Sequence, residues 1–248
     1  MLDDPWFYAA AIVAVLIVGV AKGGLGGGIG VVAVPLMAMA VSPIAAAAIM
    51  LPILMVMDAL ALRAYWGQWD RPNLRVLLPA SLLGTALGSL TFGYLSADGL
   101  RAMVGAVSLL YGIRWFTSTP PDAAPKPSTR AGVFWGAAAA FTSFAVHAGG
   151  PPLQAYLLPQ QMGRTAFQAT SVVFFFVVNW SKVGPYAWFG LWNTDNLLTS
   201  LLLMPLAPIG IAIGRRLHDR VNDKIFFAVV HTSLVLIGAK LLYDASGL

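Results

Sequence analysis

Long apolar stretches without a charged residue recur along most of the chain. Several of them approach the ~20 residues that a membrane-spanning helix needs. They cover Trp6–Ala21, Gly23–Met57, Val76–Ala97, Ala102–Ile113, Ala131–Val146, Thr165–Ser181 and Asn196–Gly214. The pattern predicts a polytopic α-helical membrane protein. Acidic residues, Asp3 and Asp4, precede the first run where a signal peptide would be basic, so this run is interpreted as a retained helix.

Glycine clusters interrupt the apolar chain at two places, at Gly23–Gly30 and at Ala148-Gly149-Gly150-Pro151-Pro152. Unwound backbone is tolerated inside a bilayer only where it lines a polar cavity or is buried in protein. Broken apolar segments at matching positions in two halves are therefore typical of a transporter's binding site.

The two halves of the chain show a nearly constant offset. Pro35 precedes Pro159 by 124 residues, and the motif at Gly67, Trp69, Asn73 and Leu74 returns 123 residues later. Three further glycines, Gly84, Gly88 and Gly112, return after 126 residues as Gly210, Gly214 and Gly238. The offset predicts a duplication, with a first repeat at 1–116, a proline-rich linker at 117–130 and a second repeat at 131–248. Gly-x-x-x-Gly spacing in Gly84/Gly88 and Gly210/Gly214 predicts close helix packing.

The basic residues decide how the repeats are oriented. Suppose that each glycine-broken segment enters the membrane and returns to the side from which it came. Eleven of the fifteen Lys and Arg residues then lie on one side of the membrane, and Arg101 is the only one on the other side. This matches the excess of basic residues in cytoplasmic loops. The predicted fold is an all-α membrane protein of two inverted repeats, each a glycine-broken helical hairpin plus three transmembrane helices. The linker is then cytoplasmic and both termini lie opposite.

Composition agrees with this membrane class. Charged residues make up 10% of the chain, against about 25% in soluble domains, and mean hydropathy is +0.77. The net charge of +5 belongs mainly to the cytoplasmic loops, so no nucleic-acid partner is expected. The chain has no cysteine, which excludes disulfides and thiolate ligands. No metal and no cofactor are expected.

The glycine hairpins suggest anion binding. A helix that restarts inside the membrane presents free N–H groups and the positive end of its dipole, and prolines suit its first turn. Lys22 and His147 adjoin the two hairpins, and Asn179 shares a helix face with Lys182. A Lys or Asp at mid-helix costs about 2.5–3.5 kcal/mol, so each needs a partner or a function. The alternatives are that the glycines serve only packing and that the lysines extend to the headgroups.

At these residues the sequence resembles the TauE/SafE sulfite exporter family. The resemblance rests on Ala21–Gly30 with Pro35, on His147–Gln160, on Asp58, and on Asn179-x-x-Lys182-x-x-Pro185-Tyr186. It implies a bacterial inner-membrane carrier for sulfur-containing anions, such as sulfite or small organosulfonates. The expected anion-binding residues are Lys22, Gly26, Gly27, Gly28, His147, Gly149, Gly150, Gln154, Asn179 and Lys182.

We expect alternating access around a site between the hairpins, with Asp58 or His147 as the candidate for proton coupling. An anion channel and a carrier of another small anion, such as a carboxylate, remain the alternatives. An enzyme is not expected: Ser143 and His147 are spaced i, i+4, but neither an elbow motif nor a third orienting group accompanies them. The lipid bilayer and the small anion are the expected partners. The sequence leaves open which anion is carried, the transport direction, the coupling ion, and whether the protein is a homodimer.

Overall fold

The structure is a computed structural model that describes residues 5–26, 29–38, 40–94, 96–117 and 127–246, and these residues contain helices and turns but no strand. The predicted all-helical class is confirmed. Gly27 and Gly28, and most of the predicted linker, lie outside the described residues.

The first half begins with a broken pair of helices, here called hairpin 1 (residues 5–37), and continues with three long helices. Hairpin 1 consists of α1 (Pro5–Val20), a π turn (Ala21–Leu25), a 3-10 turn (Ile29–Val32) and α2 (Ala33–Met37). The long helices are α3 (Pro43–Ala64), α4 (Arg71–Thr91) and α5 (Ala97–Thr117).

The second half also begins with a broken pair of helices, but five helices follow it instead of three. Its broken pair, hairpin 2 (residues 129–157), consists of α6 (Thr129–Val146) and α7 (Gly150–Leu157), and a 3-10 turn (Leu158–Gln160) follows. The later helices are α8 (Arg164–Ser181), α9 (Val183–Trp188), α10 (Thr194–Leu203), α11 (Leu206–Arg220) and α12 (Asp223–Ala245).

Matching turns in the two halves have matching geometry. Gly67 and Gly190 both adopt positive φ, 77° and 64°, where a side chain would be strained. Three residues further on, Asp70 and Asn193 cap α4 and α10 by accepting a backbone N–H at 2.9 and 2.8 Å. The sequence offset therefore corresponds to an equivalent turn and helix start.

Five helical segments are long and apolar enough to cross a membrane: Pro5–Leu25, Pro43–Ala64, Arg71–Thr91, Arg164–Trp188 and Asp223–Ala245. α10 and α11, bent by 43°, form a sixth if they are one span. α5 and α6, which the sequence also predicts to span, are not among them. The buried face of α6 consists largely of Gly and Ala, because this helix packs closely against α4.

The closest helix contacts join the two halves, and glycines allow them. A Cβ on Gly19 of α1 would lie 2.8 Å from Cα of Gly210 in α11, and one on Gly84 of α4 would lie 2.1 Å from the Ala137 carbonyl oxygen in α6. A Cβ on Gly238 of α12 would meet α5 at 2.7 Å. The predicted packing role of these glycines is confirmed. α3 and α8 pack against each other, and both belong to the most buried spans.

Candidate functional site

Hairpin 1 turns at the opened backbone of the π turn. Gly26 has φ 76°, and its N–H donates to Oε1 of Gln168 at 2.8 Å. The amide of the same glutamine donates to the Lys22 carbonyl at 2.6 Å. The Tyr65 hydroxyl donates to the Gly23 carbonyl at 2.7 Å, and burial raises the pKa of Tyr65 to about 12, so that this donor keeps its proton. Side chains of other helices thus satisfy the carbonyls that the break exposes.

Hairpin 2 turns through a left-handed residue. α6 ends at Val146, and His147 closes it with φ 52°. α7 then begins at Gly150, with Pro151 and Pro152 in its first turn, as predicted. Because the prolines carry no N–H, Gly150 is the only one of these three residues that can donate a backbone hydrogen bond.

Asp58 is the acidic centre of the site. It lies on α3, is 0% exposed, and forms an ion pair with Lys22 through one carboxylate oxygen. Its other oxygen accepts from Nδ2 of Asn179 on α8 at 2.7 Å. Asp58 therefore neutralises the charge of Lys22.

Asn179 connects this ion pair to the second lysine. Its Oδ1 accepts from Nζ of Lys182 at 3.1 Å. Lys182 is 0% exposed and also lies 2.7 Å from the Ser143 carbonyl, 2.8 Å from the Ser143 hydroxyl and 3.0 Å from Nδ1 of His147. Lys182 therefore does not extend to the headgroups. It is held inside the bundle at the end of hairpin 2.

Two backbone carbonyls of α3 accept hydrogen bonds from side chains of the second half. Pro52 has no N–H, so the carbonyl of Ala48 has no partner within the helix. The Trp192 indole donates to it at 3.2 Å. One residue earlier, the Ala47 carbonyl lies 3.0 Å from Nε2 of His147. A carbonyl oxygen can only accept, so Nε2 carries a proton.

A cavity opens beside the polar network, between the two hairpins. Its polar lining comprises Lys22, Ser143, His147, Gly150 and Asn179. Its apolar lining includes Val18, Val34, Met50, Leu54 and Phe175. The Lys22 ammonium lies 5.3 Å from the centre of the Phe175 ring. Lys182 is not part of the lining and stands behind Ser143, His147 and Asn179, so the two lysines act on the cavity at different depths.

A family model, described as sulfite exporter TauE/SafE, matches residues 11–241. The chain belongs to the TauE/SafE family. The resemblance inferred from the hairpin motifs is thereby confirmed, and the protein is a multi-pass membrane transporter by family. Neither the curated proteins nor the solved structures include a match to it.

In this TauE/SafE protein the predicted site residues fall into three groups. Lys22, His147, Asn179 and Gly150 line the cavity, while Asp58 and Lys182 bond to its lining. Gly26 and Gln154 lie close to each other outside the lining: a Cβ on Gly26 would be 3.6 Å from Nε2 of Gln154. The Gly149 position is packed, since a Cβ there would lie 2.5 Å from the Ala139 carbonyl.

Few of the expected backbone donors are free among the described residues, and Gly27 and Gly28 lie outside them. The Gly26 N–H is already bonded to Gln168, and the first turn of α7 contains two prolines. Gly23 and Gly24 pack against α11, where a Cβ on Gly24 would lie 2.0 Å from the Gly214 carbonyl. Side chains therefore supply most of the polar lining in the TauE/SafE cavity.

Gln154 is the most unusual polar side chain among the described residues. It is 2% exposed, and neither its Nε2 nor its Oε1 has a hydrogen-bond partner within the described chain. An unpaired buried amide is unfavourable, and such groups in native proteins call for an explanation. Gln154 lies one turn into α7, on the side that meets Gly26.

Sequence reasoning missed Ser143 and Gln168 as members of the site. Ser143 lies one helical turn before His147, and this spacing was considered only in relation to an enzyme. Gln168 lies eleven residues before Asn179, which is three turns of one helix face. The periodic stripe Gln168, Phe175, Asn179 and Lys182 was the available signal, since a polar stripe on an apolar helix faces the protein interior.

Proposed function

We propose that this protein is a secondary carrier for a sulfur-containing anion, such as sulfite or a small organosulfonate, and that it works by alternating access in the bacterial inner membrane. The observation that carries the proposal is the buried cluster of Lys22, Asp58, Asn179, Lys182 and His147 on a cavity between two broken helical hairpins. Ionisable groups in membrane-spanning segments mark ion and substrate pathways.

The anion would contact the cavity directly through Lys22. Among the described residues Asp58 is the only acceptor of its ammonium, and Lys22 lines the cavity, so its remaining hydrogens are available to a ligand. The Ser143 hydroxyl and the Gly150 N–H are further donors on the lining. Tetrahedral sulfonate or sulfite oxygens suit several separate donors of this kind. The unpaired amide of Gln154 would become a further contact of the anion when hairpin 2 moves.

Inverted repeats would explain how this site opens to both sides. Lys22 follows α1 and His147 follows α6, so the two residues have matching places in their halves. Lys22 bonds Asp58 on α3, 36 residues later, and His147 contacts Lys182 at the end of α8, 35 residues later. Helices of the two halves also pair with each other: α1 of the first half packs on α11 of the second, and α4 of the first packs on α6 of the second. Transporters with such repeats rock one set of helices against the other around a fixed site.

Charge movement favours export by such a carrier. A negative cell interior opposes uptake of an anion by about 2.3 kcal/mol per charge per 100 mV. Export proceeds without coupling, whereas import needs a coupled cation, for which we propose a proton carried by Asp58 or His147.

Transport into liposomes tests the proposed function. Purified protein is reconstituted and screened with sulfite, thiosulfate, taurine, sulfoacetate and acetate, and the anions moved per protein per second are counted. We expect saturable transport of a sulfur anion at carrier rates. Flux far above such rates would instead identify a channel, and transport of acetate alone would identify a carboxylate carrier. Absence of any anion transport would refute the proposal.

A further inference from the structure

We propose that the cavity selects an anion with a single negative charge, because the buried polar cluster carries one uncompensated positive charge. This inference rests on the proposed anion transport and adds a rule for its substrate. It follows from counting protons and charges in the hydrogen-bond network.

The first part of the cluster is neutral overall. Lys22 and Asp58 form an ion pair, and the second carboxylate oxygen of Asp58 accepts from the Asn179 amide. A carboxylate that accepts from both neighbours is ionised, and its charge cancels that of Lys22.

The second part, Lys182 with His147, holds one extra proton. Nε2 of His147 must carry a proton, because it faces the Ala47 carbonyl. Nδ1 faces Nζ of Lys182 at 3.0 Å, so one proton lies between these two nitrogens. The remaining Lys182 hydrogens face three acceptors, which are the Ser143 carbonyl, the Ser143 hydroxyl and Oδ1 of Asn179. Whether the shared proton belongs to the lysine or to the histidine, the pair carries a charge of plus one.

Two protons between Lys182 and His147 are disfavoured by the same geometry. If His147 were an imidazolium and Lys182 an ammonium, the Nδ1–H of His147 would point at Nζ of Lys182. Both groups would lose a hydrogen-bond acceptor, and two positive charges would be in contact. The pair therefore resists taking up the further positive charge that a doubly charged anion would need.

No other charged side chain among the described residues forms an ion pair with this cluster. Arg130 and Arg164 lie at the far ends of α6 and α8, and Arg63 follows Asp58 by five residues, at the end of α3. A bound monoanion makes the buried site neutral, whereas a dianion leaves an uncompensated negative charge, which is strongly disfavoured in a low-dielectric interior.

Calorimetric titration with two matched pairs of anions tests this rule. Methanesulfonate and sulfate have the same tetrahedral shape but differ by one charge, and isethionate and sulfoacetate differ in the same way. We expect the monoanion of each pair to bind at least tenfold more tightly to the wild-type protein. Equal or tighter binding of the dianions would overturn the rule, and so would failure to bind either monoanion.

The variant Asp58→Asn separates charge from shape, because it adds one positive charge to the cluster. We expect it to narrow or reverse the preference, whereas Lys240→Gln, at an exposed ion pair on α12, leaves the preference unchanged. A folded Asp58→Asn protein with the wild-type preference would contradict the charge rule. If that variant does not fold, the wild-type comparison still decides. Transport of any sulfur anion in liposomes would leave the proposed function intact even where the charge rule fails.

Discussion

At the scale of single residues, a charged group deep in the membrane is stabilised by the number of acceptors around it. Lys182 is fully buried, yet its ammonium has the Ser143 carbonyl, the Asn179 amide oxygen and the His147 ring within 3.1 Å. With the Ser143 hydroxyl at 2.8 Å, four acceptors surround the three hydrogens of this ammonium. The residue can therefore remain charged and act on the cavity from behind its lining.

Lys182→Gln removes this charge. We expect a ten- to hundredfold loss of affinity for the transported anion, since a charge-assisted interaction is worth about 1.5–3 kcal/mol. Lys240→Gln is the matched control, because the Lys240 side chain is 61% exposed and pairs with Asp244 at the end of α12. Calorimetric titration measures both. Equal affinities in wild type and Lys182→Gln would remove this lysine from the site.

Gln154→Met tests whether the unpaired amide serves a ligand. The variant removes two buried polar atoms that have no hydrogen-bond partner among the described residues, so its free energy of unfolding should rise by about 1–3 kcal/mol. We also expect weaker anion binding. Gln68→Met, in the exposed turn after α3, should change neither. Denaturation in detergent and titration provide the readouts, and unchanged binding in a stabilised Gln154→Met protein would assign the amide no ligand.

At the scale of elements, glycine faces set the distance between helices of opposite halves. Gly84 of α4 lies so close to α6 that a methyl group would overlap the backbone, whereas Gly184 of α9 has no described atom within 4 Å of such a methyl. Backbone cannot move away as a flexible side chain can, so the first contact tolerates no added atom.

Gly84→Ala should therefore destabilise the protein by about 1–3 kcal/mol through overpacking. Gly184→Ala should be neutral or stabilising by about 0.5–1 kcal/mol, because alanine is the better helix former. Unfolding midpoints of the two purified variants, compared with wild type, decide the prediction. A Gly84→Ala protein as stable as wild type would mean that α4 and α6 can move apart without loss of stability.

At the scale of the whole molecule, the arrangement of the basic loops predicts orientation. We expect Ser118→Cys, in the linker, to react with an impermeant maleimide only after cells are opened, because the excess of basic residues places the linker in the cytoplasm. Tyr94→Cys, at the exposed turn after α4, should react in intact cells. The chain has no native cysteine, so each signal comes from one position. Labelling of Ser118→Cys from outside would refute this topology.

The sequence predicted the hairpins and most of the polar cluster, because charged residues in apolar runs and glycine breaks are visible locally. Lys22, Asp58, Asn179 and Lys182 were all recognisable in this way. The bond from the Gly26 N–H to Gln168 and the unpaired amide of Gln154 were not, because they depend on how segments from opposite halves pack together. Contacts between distant segments are set by tertiary packing, which single-sequence periodicity does not encode.

The pairing of α1 with α11 also has a consequence for biosynthesis. The glycine face of α1 that receives Gly210 enters the membrane early, but its partner is translated about 190 residues later, which at ~5–20 residues per second is a delay of roughly ten to forty seconds. During this interval the surface of α1 around Gly19 is exposed to lipid or to other nascent proteins. A stop codon between the halves would make that exposure permanent, so truncated products should be substrates for membrane proteolysis.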